Sequence, residues 1–205
     1  MQRFNQHYKL VKDCLLDLCR GVAPNISDEE IATLVRGSIV PEISVRTSVL
    51  QAIDAEIDLT SLDFCEEIWL ACHDDVQENV DLARAIWEDN ALELETESAY
   101  QTLPYLEVLD KQLRRAAARS LDEIVNSFPD IFHGLVARLQ AIYKDKAKPR
   151  VPERDEYGMP RKVDLKDPWE ARDGIALAFK ELASNFKPAG LVDFMQFMEI
   201  GRAHV

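Results

Sequence analysis

Glu66, Glu67, His73, Asp74 and Asp75 form the one run of this sequence that gathers several metal-ligand side chains. A metal-dependent helical enzyme built on it would use Glu67, His73 and Asp74. The two glutamates stand six and seven residues before the histidine, whereas helical di-metal sites place a Glu and a His three apart on one face. That spacing favours an ordinary helix junction, and no metal is expected. The other histidines, His7, His133 and His204, are scattered. Cys14, Cys19, Cys65 and Cys72 contain no C-x-x-C pair, and Cys65 and Cys72 share a helical face with apolar residues, as buried thiols do. The seven glycines are too dispersed for a phosphate-cradling loop, and there is no G-x-S-x-G elbow. The sequence therefore predicts no catalytic residue, no cofactor and no small-molecule substrate.

The elements that carry these residues are predicted to be helices. With 47% hydrophobic residues but only 7 Gly and 9 Pro in 205, the chain can fill a core but lacks the turns of a β-sandwich. Apolar spacing of three and four recurs almost throughout. A first stripe, Phe4, Tyr8, Val11, Leu15 and Leu18, should end at Gly21 and Pro24. A second helix opens on a Ser27-x-x-Glu30 capping box. A third runs through Val45, Val49, Ile53 and Ile57, and a fourth, capped by Thr60 or Ser61, carries Leu62, Cys65, Ile68, Trp69 and Cys72. Asp74 or Asp75 should start a fifth, and the helix from Glu97 to Leu109 must accommodate Pro104 in a first turn or a kink. Leu113 to Phe128 and Phe132 to Ile142 form a clear pair, and two more helices carry Trp169 to Phe186 and Leu191 onward. Trp69, Trp87 and Trp169 all lie on apolar stripes, which predicts core packing rather than stacking on bases.

A small or apolar residue, an arginine and an apolar stripe recur at Arg46, Arg84, Arg114 and Arg172, in steps of 38, 30 and 58 residues. The last step contains a proline-rich loop of about 20 residues, and HEAT repeats recur every 40–47 or so. The fold class predicted is all-α: an α-solenoid of about five HEAT-type antiparallel helix pairs over residues 1–198. Two-helix units cannot hide both apolar faces alone, and stacking them buries a continuous core. The four arginines are assigned structural roles. Arg114 follows Asp110 by one helical turn, and an exposed ladder of such contacts would contribute about 0–1 kcal/mol each.

The net charge of −13 is unevenly placed. Residues 54–97 hold 15 acidic side chains against Arg84 alone, a field that repels phosphate and reads as solvated helix faces. Residues 144–166, an insertion loop with three prolines, carry eight basic and five acidic side chains. Lys144, Lys146, Lys148, Arg150, Arg161 and Lys162 are its candidate partner contacts. The chain opens without a secretory leader, and no apolar run nears the ~20 residues a bilayer crossing needs. A cytoplasmic location with no membrane contact is expected.

Several stretches are more specific: Val49-Leu-Gln-Ala-Ile-Asp-Ala-Glu-Ile-Asp-Leu, Glu67-Ile-Trp-Leu-Ala-Cys-His-Asp, Leu113-Arg-Arg-Ala-Ala-Ala-Arg-Ser-Leu, Tyr143-Lys-Asp-Lys-Ala-Lys-Pro and Trp169-Glu-Ala-Arg-Asp-Gly-Ile-Ala-Leu-Ala. Together they resemble the large general-control translational activators, over about residues 40–190. The resemblance implies a non-enzymatic HEAT-repeat scaffold that lies along ribosomes, binds an ATP-binding-cassette partner and relays uncharged-tRNA status to the starvation-responsive kinase of initiation factor two. The family's kinase-binding residues match nothing in this sequence, so kinase contact would belong to other parts of a full-length protein. This chain would be an internal slice near the region similar to elongation factor three. Its last heptapeptide, Glu199-Ile-Gly-Arg-Ala-His-Val, reads as a non-native tail from adapter read-through, and a cut array should expose apolar helix faces. The alternative is a fragment of a HEAT-repeat nuclear-transport receptor whose acidic stretch holds basic peptides.

Overall fold

The computed structural model describes residues 2–62, 64–148, 157, 159 and 167–202. Its ten α-helices follow the apolar stripes, and no strand occurs among the described residues. They fall into two compact units, Met1–Thr102 and Leu103–Val205.

In the first unit α1 (Gln2–Val22), α3 (Ile43–Glu56) and α5 (Gln77–Asp89) stack in turn, while α2 (Asp28–Arg36) and α4 (Glu66–Ala71) pack on the 3-10 turn Gly37–Ile39. α6 (Ser98–Thr102) packs on α4. The capping box forms as predicted: Ser27 Oγ accepts from the Glu30 N–H at 3.4 Å, and Glu30 Oε2 accepts from the Ser27 N–H at 2.9 Å. The core is built from Leu50, Ile53, Leu59, Ile68, Trp69 and Ile86. Trp69 meets Trp87 at 5.0 Å between ring centroids and His73 edge-on at 4.7 Å. Cys65 and Cys72 are buried.

In the second unit α7 (Lys111–Ser127) packs on α9 (Trp169–Glu181), and α8 (Phe132–Lys146) packs on α9 as well; α10 (Pro188–Arg202) closes the order. Leu106, Leu121, Ile124, Leu135, Ile175 and Leu182 fill the core. Phe179 and Phe197 draw α9 and α10 together, and Phe132 meets Phe186 at 5.0 Å. Gly174 is required: a Cβ there would lie 1.9 Å from the Leu106 carbonyl oxygen, where α9 crosses the 3-10 turn Leu103–Glu107.

Four sequence expectations need correction. α1 passes through Gly21 to Val22 and then tightens into a 3-10 turn at Ala23–Asn25, so Pro24, which sits inside that turn, stops the helix rather than the glycine. Neither Thr60 nor Ser61 caps a helix. Asp58 Oδ1 accepts from both the Thr60 N–H and hydroxyl in a side-chain turn, and α4 begins at Glu66. α5 starts at Gln77 rather than Asp74 or Asp75, because the Asp74 carboxylate faces the interior and accepts from the Val76 N–H. Trp169 is 49% exposed at the start of α9, not a core residue. Pro104 sits second in the 3-10 turn that follows α6, where its missing N–H costs little.

Candidate functional site

Three of the repeat arginines occupy one helical register. Arg46, Arg114 and Arg172 each lie four residues after the residue that caps their helix, Glu42, Asp110 and Pro168. Two of them build the same device. Arg46 donates from one guanidinium nitrogen to the carbonyls of Val40 and Pro41 at 3.0 and 2.9 Å, and Arg114 to those of Val108 and Leu109 at 2.8 and 2.9 Å. The remaining nitrogens reach a carboxylate far along the chain: Asp74 at 2.6 and 3.0 Å for Arg46, Asp173 at 2.9 and 3.1 Å for Arg114. Each guanidinium thus ties the entry of its own helix to the next stacked helix or its approach. Both arginines are buried, so these are the strong, charge-assisted kind of contact.

The Arg46 site continues inward. Asn79 Nδ2 donates to Asp74 Oδ2 at 3.0 Å, and the Thr47 hydroxyl donates to Asn79 Oδ1 at 2.7 Å, a closed polar chain between α3 and α5. Burial would push the Asp74 carboxyl up, but hydrogen bonds from Arg46, Asn79 and the Val76 N–H outweigh it and hold the carboxyl below its usual range. The expected pairing of Arg114 with Asp110 is not made: the Asp110 side chain caps α7 through the Gln112 N–H, and Arg114 turns to Asp173.

Arg172 and Arg84 differ. Arg172 pairs with Asp167 and donates to the Lys146 carbonyl at 3.1 Å; the Asp167 hydrogen bond raises its already high pKa. Arg84 is one turn out of register, eight residues after the cap of α5, and lies over the Trp69 ring at 5.5 Å. Val80 holds the equivalent position in α5, 34 residues from both Arg46 and Arg114. The unequal steps of 38 and 30 come from reading Arg84 in the wrong turn.

The run that suggested a metal site is a structural junction. His73 Nδ1 donates to the Trp69 carbonyl at 2.9 Å, Asp74 is held by Arg46, and the Cys65 thiol points at Glu67 at 3.7 Å. Burial pushes the Cys65 thiol up to about 12 and, with Glu66 nearby, raises the Glu67 carboxyl. No group of three or more His, Cys, Asp or Glu among the described residues converges to hold a metal.

Of the candidate contact cations, Lys144 and Lys146 fall in the last turn of α8, which extends past the start of the expected loop. Lys144 lies 5.5 Å from the Phe197 ring centroid, Lys146 pairs with Glu107, and Lys148 pairs with Asp145 at 3.0 Å. Arg150, Arg161 and Lys162 lie outside the described residues. The structure brings the first three to one helix end, where the C-terminal dipole favours cations. The arginine partners Asp74 and Asp173 were missed in the sequence; the legible signal was an acid four residues before the arginine, in Glu42 and Asp110, which marks the helix entry but not the distant carboxylate.

Stacked helices that carry a buried arginine at the same place after their entry, Arg46 in α3 and Arg114 in α7, are what a helical repeat produces. The family model for HEAT repeats of the stalled ribosome sensor GCN1 matches residues 54–200. The chain belongs to this family. Its fold class is accordingly the all-α, HEAT-type solenoid. Over 189 residues the GCN1-type chain is 27% identical to the eIF-2-alpha kinase activator GCN1 of Saccharomyces cerevisiae, covering 87% of this chain and 7% of that protein. Over 203 residues it is 24% identical to the stalled ribosome sensor GCN1 of Homo sapiens, covering 92% and 8%. The mouse stalled ribosome sensor GCN1 is 25% identical over 202 residues. The chain therefore spans less than a tenth of the length of these relatives. No solved structure shows significant similarity to it. No helix among its described residues is long and apolar enough to cross a membrane.

Proposed function

We propose that these repeats are a non-enzymatic scaffold segment of a cytoplasmic, ribosome-associated regulator of translation that activates the initiation factor two kinase in amino-acid starvation. The observation that carries this reading is the family match over residues 54–200, together with the names of the relatives, a stalled ribosome sensor and an eIF-2-alpha kinase activator. The buried polar groups support a supporting role. Arg46, Arg114, Asp74 and His73 are spent on backbone carbonyls and on one another, as holding groups are, not as reacting ones. The kinase would be reached through other parts of the full-length protein, and an ATP-binding-cassette protein is the further partner that the family resemblance suggests. The nuclear-transport reading is not favoured, because the family match points to translation instead.

Ribosome contact in this segment is assigned to Lys144, Lys146, Lys148, Arg150, Arg161 and Lys162. A chain of net charge −13 meets a polyphosphate surface with repulsion, and residues 144–166 are its locally basic stretch. Contacts of this kind release counterions, so affinity should fall steeply with salt. The test is co-sedimentation of the chain with ribosomes across a salt series, with and without residues 147–166. Pelleting at low salt that is lost both with salt and with the deletion is expected. Pelleting unaffected by the deletion would move the contact elsewhere, and no pelleting at any salt would leave these repeats as a spacer.

A further inference from the structure

Between α3 and α5 the first unit carries an open groove of about 490 Å³, lined by Asp54, Glu78, Asp81, Leu82 and Ala85. Its acids come from both helices, Asp54 from α3 and Glu78 and Asp81 from α5, while Leu82 and Ala85 give it an apolar floor. Gln51 of α3 reaches the wall residue Glu78: its amide nitrogen donates to Glu78 Oε1 at 3.2 Å, and its own oxygen is buried without a donor. Farther along, Asp58, Glu88 and Asp89 are exposed.

A groove with an apolar floor and carboxylates on both walls matches one kind of side chain. The methylene stem of a lysine or arginine lies on apolar surface while its charged head reaches anionic groups. We infer that this groove docks a basic polypeptide segment, seating a lysine or arginine stem on Leu82 and Ala85 between Asp54 and the Glu78–Asp81 wall. The stretch around it, 15 acidic residues against one basic over 54–97, supplies the field that draws such a segment in and repels nucleic acid. The inference is independent of the ribosome reading, which uses the basic residues 144–166 of the other unit.

The test measures fluorescence anisotropy of a short labelled peptide of alternating arginine and glycine, titrated with the full 205-residue chain. A polyanionic RNA oligomer of similar length serves as the opposite probe. Three variants separate the groove from the general field. Glu78→Lys with Asp81→Lys reverses the wall. Ala85→Phe fills the floor without changing charge. Glu93→Lys with Glu95→Lys reverses two exposed acids outside the groove. Wall reversal and floor filling should each weaken peptide binding by about tenfold or more, and the distant pair by about twofold or less. Circular dichroism melts confirm that each variant is folded. Equal loss from both charge-reversal pairs, or unchanged binding by Ala85→Phe, would show diffuse attraction and overturn the groove. Preference for the RNA, or no peptide binding at low salt, would overturn it as well.

Discussion

Individual charged residues show how differently one side-chain type can be used within one unit, here the second. Arg114 is 1% exposed and satisfies two carbonyls and a carboxylate, whereas Arg172, at a matching place in its helix, rests against a partly exposed Asp167. Removing a buried partner strands what it leaves behind, so Arg114→Ala should destabilise the chain by about 3–5 kcal/mol and Arg172→Ala by about 1 kcal/mol or less, measured by urea denaturation. Equal losses would contradict the assigned burial. Glu67 makes a pH prediction of opposite sign to Asp74. The Asp74 carboxyl is depressed in the fold, so its contribution is present above the ordinary Asp range and is lost as acid takes the pH down through the lowered pKa. The Glu67 carboxyl is raised by burial, so its ionisation opposes folding once the pH climbs past the ordinary Glu range. Glu67→Gln should therefore stabilise the protein at pH 7 and leave it unchanged near pH 4, read as melting temperature against pH. A variant that destabilises at neutral pH would refute the raised carboxyl. The sequence reading assigns the repeat arginines structural roles; it could not show which carboxylate each reaches, because the partners of Arg46 and Arg114 stand 28 and 59 residues away.

At the scale of elements, helix existence was legible, and helix entry was legible at the α2 capping box but not at α4 and α5. The stripes of α7 and α8 and the capping box of α2 follow directly from spacing and local hydrogen bonds. α4 and α5 begin later than expected, and ahead of them the Asp58 and Asp74 side chains accept from nearby N–H groups, which the local pattern does not show. The repeat register was missed for the same reason: Val80, not Arg84, stands at the equivalent turn, and a valine carries no signature. Close helix approach is the other feature invisible to pattern. Gly174 reads as a weak point in a helix, yet it is what lets α9 meet the Leu106 carbonyl. Gly174→Ala should cost about 3 kcal/mol or more, since the contact is with backbone that cannot rotate away. Gly190→Ala, whose new Cβ would meet only the Phe186 ring at 3.8 Å, should be neutral or slightly stabilising. Thermal melts of the two variants distinguish the cases, and similar melting temperatures would mean that α9 stands farther from the 3-10 turn.

Across the whole molecule the charge is divided: an acidic stretch over residues 54–97 in the first unit and a locally basic one over 144–166 in the second. In both units buried arginines and carboxylates hold stacked helices to one another, the nearest-neighbour contacts that a helical repeat is built from. The proposal that stands to be tested is that these repeats touch the ribosome through the basic stretch 144–166. Site-specific photo-crosslinking tests it most directly, with a photoreactive residue placed in turn at Lys148 and at Glu93 and each protein mixed with ribosomes at low salt. The account predicts crosslinks to ribosomal components from position 148 and few or none from position 93. Equal crosslinking from both positions, or crosslinks from position 93 alone, would contradict it.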